Sequence, residues 1–198
     1  MLGELSDSQD RIFALSFHVD YWNRLGWIDP FSQKVFSDRQ RRYAQVLNDR
    51  RVYTPEMVVN GKDGFIGSDR LRAEHRVEQA LQTNPGFTLD LTVSDGYKKD
   101  RVQISYRLDA VPEKAVLNVA LVEKSVEILV PRGENAGRTL HHHHTVREWV
   151  TVKADTAGAV RLVLPGGLEW GDVEIIGFVQ DKETMHILAA NRAGNGRE

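Results

Sequence analysis

The stretch Val52-Tyr53-Thr54-Pro55-Glu56-Met57-Val58-Val59-Asn60-Gly61 decides how the first half of the chain is read. Val52 to Asn60 has the composition of a strand, and the pair Asn60-Gly61 ends it in a turn. A proline cannot donate to a strand ladder, but it is tolerated at the first residue of a strand, where Pro55 would sit. Phe65 and Ile66 follow as a short strand, so the stretch reads as a hairpin. Working outward, Ser37 with Gln40 three residues on forms a capping-box pattern, and Tyr43, Val46 and Leu47 give that helix its apolar stripe. Further upstream, Ile12 to Val19 is a short run of strand formers, expected as a buried strand. Downstream, Ser68 is the expected helix cap with Asp69 in the first turn, and Ala73, Val77, Ala80 and Leu81 form the inner face.

Beyond Thr83-Asn84-Pro85-Gly86 the pattern becomes almost purely β. Thr88, Asp90, Thr92 and Ser94 alternate with Leu89, Leu91 and Val93, and similar alternations recur at Arg101–Leu108, Val116–Val122, Val126–Val130, Thr145–Val152, Ala159–Leu164, Val173–Gln180 and Met185–Ala189. Turn residues separate them at Asp95-Gly96, Pro131-Arg132-Gly133 and Pro165-Gly166-Gly167. Strands at this spacing predict an antiparallel sandwich. The expected fold class is therefore α+β, with an α/β domain over residues 1–84 and a β-sandwich over 85–198. The tail from Ala193 to Glu198 is expected to fray.

Composition narrows the functional classes. The 198 residues carry 26 basic and 28 acidic side chains, a formal charge of −2, which gives no electrostatic footprint for nucleic acid. The cluster Arg39, Arg41 and Arg42, with Arg50 and Arg51 beyond it, reads as a solvated helix face rather than a phosphate site. No window approaches the roughly 18 apolar residues of a membrane span. The start, Met1-Leu2-Gly3-Glu4-Leu5, has no basic, apolar leader, so a chain expressed as written is expected in the cytoplasm. Cysteine is absent, which removes disulfides, thiolate ligands and cysteine nucleophiles together.

Thr54-Pro55, followed by a short apolar strand and a glycine turn, resembles the cis-proline loop of thioredoxin-like proteins. Phe17-His18-Val19-Asp20-Tyr21-Trp22-Asn23-Arg24-Leu25-Gly26-Trp27-Ile28-Asp29-Pro30-Phe31 is more specific. It resembles the signature of exported bacterial thioredoxin-like proteins catalogued as domain of unknown function 1223. The spacing to Arg39-Gln40, Tyr43 and Thr54-Pro55 fits, as do the glycines and charges of Gly133–Thr139. The resemblance implies a thioredoxin-like first domain, a periplasmic or secreted location for the full-length family, and a peptide groove at Tyr53, Thr54 and Pro55. It also implies an export signal, a central strand and a Cys-x-x-Cys segment ahead of the first helix. Against that pattern the chain begins inside the helix, as a truncated thioredoxin-like domain. Thiol–disulfide exchange needs a thiolate attacker and a resolving thiol, so no redox turnover is expected from this polypeptide. An N-terminally longer product would restore an oxidoreductase. Without the central strand, Ile12–Val19 and Glu56–Val59 are expected to carry unpaired backbone groups, at roughly 1–3 kcal/mol each where buried. The first domain is then expected to be marginal, partly disordered, or completed by association with another chain.

The candidate site residues follow. His18 and Asp20 share one face if their segment is a strand, either tuning or binding at the site or orienting Tyr21 and Trp22. Trp22, Trp27 and Asp29 line the same region, where the aromatics serve either a peptide groove or local packing. His141, His142, His143 and His144 form a second group. On a strand His141 and His143 share one face and His142 and His144 the other, either as a metal site, with His186 as a further ligand, or as solvent-facing histidines. No cofactor is implied, and the partner expected is a peptide or protein.

Overall fold

The computed structural model describes residues 2–7, 9–49, 51–98 and 100–194. Three helices, α1 (Leu2–Asp7), α2 (Lys34–Val46) and α3 (Arg70–Leu81), precede or flank a short hairpin of β1 (Glu56–Val59) and β2 (Asp63–Ile66). The rest is β: β3 (Leu89–Lys98), β4 (Arg101–Leu108), β5 (Ala115–Leu129), β6 (Thr139–Lys153), β7 (Ala157–Val163), β8 (Val173–Asp181) and β9 (Ile187–Arg192). Every ladder is antiparallel. β3-β4-β7 form a three-stranded sheet and β6-β5-β8-β9 a four-stranded one.

Strand alternation gives the four-stranded sheet two buried faces. Along β5, Leu117, Val119 and Leu121 join Leu91, Ile104 and Leu162 of the other sheet in the larger core. The intervening Ala120 and Val122 turn outward and pack with Ile176, Val146 and Phe36 of α2. Phe13, Leu15 and Phe17, spaced two apart, lie against this second core. Close packing of the two sheets shows at Gly177, where a Cβ would sit 2.7 Å from the Leu91 Cδ1.

Several elements differ from the sequence reading, each for a local reason. Ile12–Val19 is extended but forms no ladder strand; Ser16 alone makes a parallel bridge to Thr145. β1 starts after Pro55, so Val52 to Thr54 lie outside it. Helix α2 begins three residues before Ser37, with Gln33 at its cap, because the Ser37 hydroxyl is committed elsewhere. Helix α3 is capped by Asp69, whose carboxylate accepts the Arg72 amide, not by Ser68. Val116–Val122 and Val126–Leu129 fuse into β5, because its ladder with β6 continues through Glu123 and Ser125, and Val130 lies just beyond its end. β3 runs through Asp95-Gly96 with register shifts instead of turning there. The last strand starts at Ile187, not Met185, which sits at a φ of 62° in the preceding turn. Ala193 is held by its amide to the Ile175 carbonyl and Gly194 bridges Thr92; the remainder of the expected frayed tail lies outside the described residues.

The Asn60-Gly61 turn carries φ values of 49° and 70°, as a type I′ hairpin requires, and the Lys62 amide donates to the Val59 carbonyl at 3.0 Å. A Cβ on Gly61 would come within 1.9 Å of the Met185 carbonyl oxygen. Only glycine lets this turn dock on the β8–β9 connection, where the Ile187 amide donates to the Asn60 carbonyl at 2.9 Å.

Candidate functional site

The segment after Phe17 leaves the sheet as a loop tied down by its own polar side chains. The Asp20 amide and carboxylate both engage the Ser37 hydroxyl, at 2.9 and 2.5 Å, fixing the loop to the first turns of α2. Asn23 accepts the Asp29 amide at 3.1 Å, and Asp29 accepts the Phe31 amide at 2.9 Å. His18 Nδ1 lies 2.6 Å from Asp29 Oδ2. A carboxylate only accepts, so Nδ1 carries the proton. His18 and Asp20 therefore do not act as a pair: one holds Asp29, the other Ser37.

The same loop meets the proline hairpin. Trp22 Nε1 donates to the Thr54 hydroxyl at 2.9 Å, and Tyr21 donates to Gln40 at 3.0 Å. Gln40 in turn donates to the Tyr53 carbonyl at 2.6 Å and the Glu56 carboxylate at 2.8 Å. The Thr54-Pro55 peptide is cis. Sequence reasoning read Gln40 as a capping-box partner of Ser37 and as part of the family spacing; its amide instead supplies the donor and the acceptor that join the two segments.

Between these parts lies a groove of about 1420 Å³. Its floor is the outer face of the four-stranded sheet at Ile176, Phe178 and Ala190. One wall is Phe13 to Val19, the other is Pro55 to Gly61, and Val77, Ala80 and Leu81 of α3 also contribute. Trp22, Trp27, Asp29 and Thr54 line it; Asp20, Tyr21 and Tyr53 are not part of that lining. Burial acts to raise the Asp29 pKa, but the bond to His18, the Phe31 amide and the nearby histidines outweigh it and leave it below the usual carboxylate range. Burial raises Glu56, with the Gln40 bond working against it.

The four histidines do not converge. His144 takes a φ of 54°, which breaks the alternation of β6 and turns its buried ring to Glu174 at 2.8 Å. His142 packs edge-to-face on His18, ring centroids 4.7 Å apart, and burial followed by the His18 charge lowers its pKa. His141 pairs with Glu127 at the surface, and the His143 ring abuts Gly3 of α1. His186 sits in the β8–β9 turn. Among the described residues no group of three or more His, Cys, Asp or Glu could hold a metal ion, so the four-histidine metal module is not formed.

Arg39 departs furthest from expectation. Arg41 and Arg42 are exposed, but Arg39 turns inward, its guanidinium 5.1–5.4 Å from the ring centroids of Phe17, Tyr43, Trp149 and Phe178. It donates to Gln180 and the Tyr43 hydroxyl, both at 2.9 Å. Arg50 lies outside the described residues.

The family described as protein of unknown function DUF1223 matches residues 1–180. The chain belongs to the DUF1223 family. A crystal structure of the Agrobacterium tumefaciens protein AGR_C_4864 is similar, with a TM-score of 0.66 at 25% identity over 93% of this chain and 81% of that one. A domain of the outer membrane lipoprotein Omp28 from Porphyromonas gingivalis matches with a TM-score of 0.32 at 10% identity, over 56% of this chain and 86% of that one. A comparison with curated proteins returns no match. No helix among the described residues is long and apolar enough to cross a membrane.

Proposed function

We propose that this DUF1223 chain is a thioredoxin-like protein that holds a peptide or protein partner in its groove and carries out no redox chemistry itself. The groove carries the reading. At about 1420 Å³ it exceeds the roughly 300–1,000 Å³ of a small-molecule site. Its rim joins the Thr54-Pro55 loop to Trp22 through a side-chain bond. An indole whose one donor is spent on the loop presents its apolar body to a bound chain. Absence of cysteine excludes a thiolate cycle in this polypeptide. An N-terminally longer product with a Cys-x-x-Cys segment would be an oxidoreductase. The wall of Pro55 to Gly61 favours this second reading, because the proline loop would then face the sulfurs. We place the full-length protein in the periplasm or outside the cell.

Tryptophan emission on titration with a denatured, carboxymethylated protein tests the reading. The expected result is a saturable shift that is lost in Trp22→Ala. Emission that does not change with added ligand would contradict it. Reduction of a disulfide substrate by the chain as it stands would contradict the redox half.

A further inference from the structure

We propose that the loop from Trp22 to Ile28 is a lipid-facing tip that seats the protein on the interface of an anionic bilayer. The proposal goes beyond the peptide reading and needs nothing from the groove.

Composition and exposure of the loop supply the first argument. Among the described residues ten large apolar side chains stand exposed, and three of them, Trp22, Leu25 and Ile28, fall within these seven positions. Ile28 stands clearest, at 72% exposure. Single exposed apolar side chains need no explanation, but a cluster at one tip marks a contact surface. The loop's polar groups turn the other way. Asn23 donates to the Ser32 hydroxyl at 2.9 Å and accepts the Asp29 amide at 3.1 Å, and the Leu25 amide donates to the Trp22 carbonyl at 2.9 Å. Gly26 closes the turn at a φ of 104°, a conformation natural to glycine. Gly133 of the β5–β6 connection backs it, since a Cβ there would stand 3.2 Å from the Leu25 carbonyl oxygen. A loop tied in this way holds its apolar side chains in water instead of folding them beneath itself, and binding has little left to order.

Charge selects the partner. The Arg24 guanidinium lies 5.7 Å from the Trp22 ring centroid and has no carboxylate partner among the described residues. Arg132 and Arg138, in the connection that backs the loop, are exposed and also without one. Against these three cations stand Glu134, the one acidic side chain of that connection, and Asp29, which is turned inward to His18. The tip is therefore net positive. Indole and aliphatic side chains beside arginine suit a bilayer interface, where tryptophan sits at headgroup level and arginine meets anionic lipid. A bilayer also accepts a protruding side chain of any shape, whereas a protein partner must bring a pocket cut for it.

The test is cosedimentation of the full chain with vesicles of phosphatidylcholine containing about a third phosphatidylglycerol. Saturable binding that weakens with added salt is expected. Trp22 also borders the groove, so Ile28 and Arg24, which line no part of it, isolate the tip. Ile28→Asp is expected to bind about tenfold more weakly, and Arg24→Gln severalfold more weakly on these vesicles but not on pure phosphatidylcholine. Val163→Asp, at an exposed apolar position of β7, adds the same charge elsewhere and should leave binding unchanged. Ile28→Asp is expected to keep the emission response to denatured, carboxymethylated protein, so the tip and the groove hold or fail separately. No binding to anionic vesicles overturns the proposal, as does equal binding of Ile28→Asp. Binding of soluble glycerol phosphate as tight as that of the vesicles overturns the bilayer as partner. Self-association of the chain without vesicles, abolished by Ile28→Asp, assigns the tip to a second copy and overturns it too.

Discussion

Asp29 and His142 both touch the His18 ring, and their chemistry predicts two separate acid transitions. His142 is held neutral by burial and by the neighbouring His18, so its folded pKa lies below the unfolded value near 6.5. The unfolded chain then takes up the proton first. Stability from this group is whole above about pH 6.5 and is lost as pH falls through the folded value. Urea denaturation at pH 7 and pH 5 should show a loss on acidification that is smaller in His142→Asn. Asp29 has the same sign in a lower window, since its folded value is depressed below the usual 3.9 or so. Its contribution is present above that value and disappears as pH falls through the folded one. Asp29→Asn should cost about 1–3 kcal/mol at pH 7, because an amide has one oxygen where the carboxylate accepts from both His18 Nδ1 and the Phe31 amide, and the difference should shrink as pH falls through the folded value of Asp29. Sequence reading named His18 and Asp29 as site residues but coupled His18 to Asp20. The true partner lies eleven positions away, and only a loop closed by Asn23 and Ser37 brings it near.

Elements follow the sequence where periodicity decides them and depart from it where a partner decides. The hairpin at Asn60-Gly61 and the strands over Arg101–Leu108 and Val173–Gln180 were legible, because turn chemistry and alternation are local signals. Ile12–Val19 has strand composition yet makes one bridge, because a ladder needs a neighbour in register over several residues and only Ser16 meets β6. Arg39 was unreadable in the run Arg39-Gln40-Arg41-Arg42. Its inward turn depends on Trp149 and Phe178, more than a hundred residues away. At this scale Gly61→Ala is the sharpest probe. A methyl there meets the Met185 carbonyl at a positive φ, so the change should destabilise by more than about 1 kcal/mol. Hydrogen exchange should show β1 and β2 opening while β5 and β8 keep their protection. Equal loss of protection in all four would mean that the hairpin is not a separable unit.

For the whole molecule, the four-stranded sheet is the shared element, with a second sheet on one face and α2 with the extended Phe13–Phe17 segment on the other. The change from a mixed to an almost purely β pattern near residue 85 was legible, since every strand from β3 onward follows it. The doubly buried sheet was not, because alternation with apolar residues on both faces reads only as a hydrophobic run. On that second face the described residues line a groove beside Trp22 and Thr54, and the proposed function depends on its taking up a peptide. Amide-resolved hydrogen exchange with and without denatured, carboxymethylated protein tests it most directly. Bound ligand should slow exchange selectively along the two walls, Phe13 to Val19 and Met57 to Gly61. Exchange in both walls that does not change with added ligand would contradict the account.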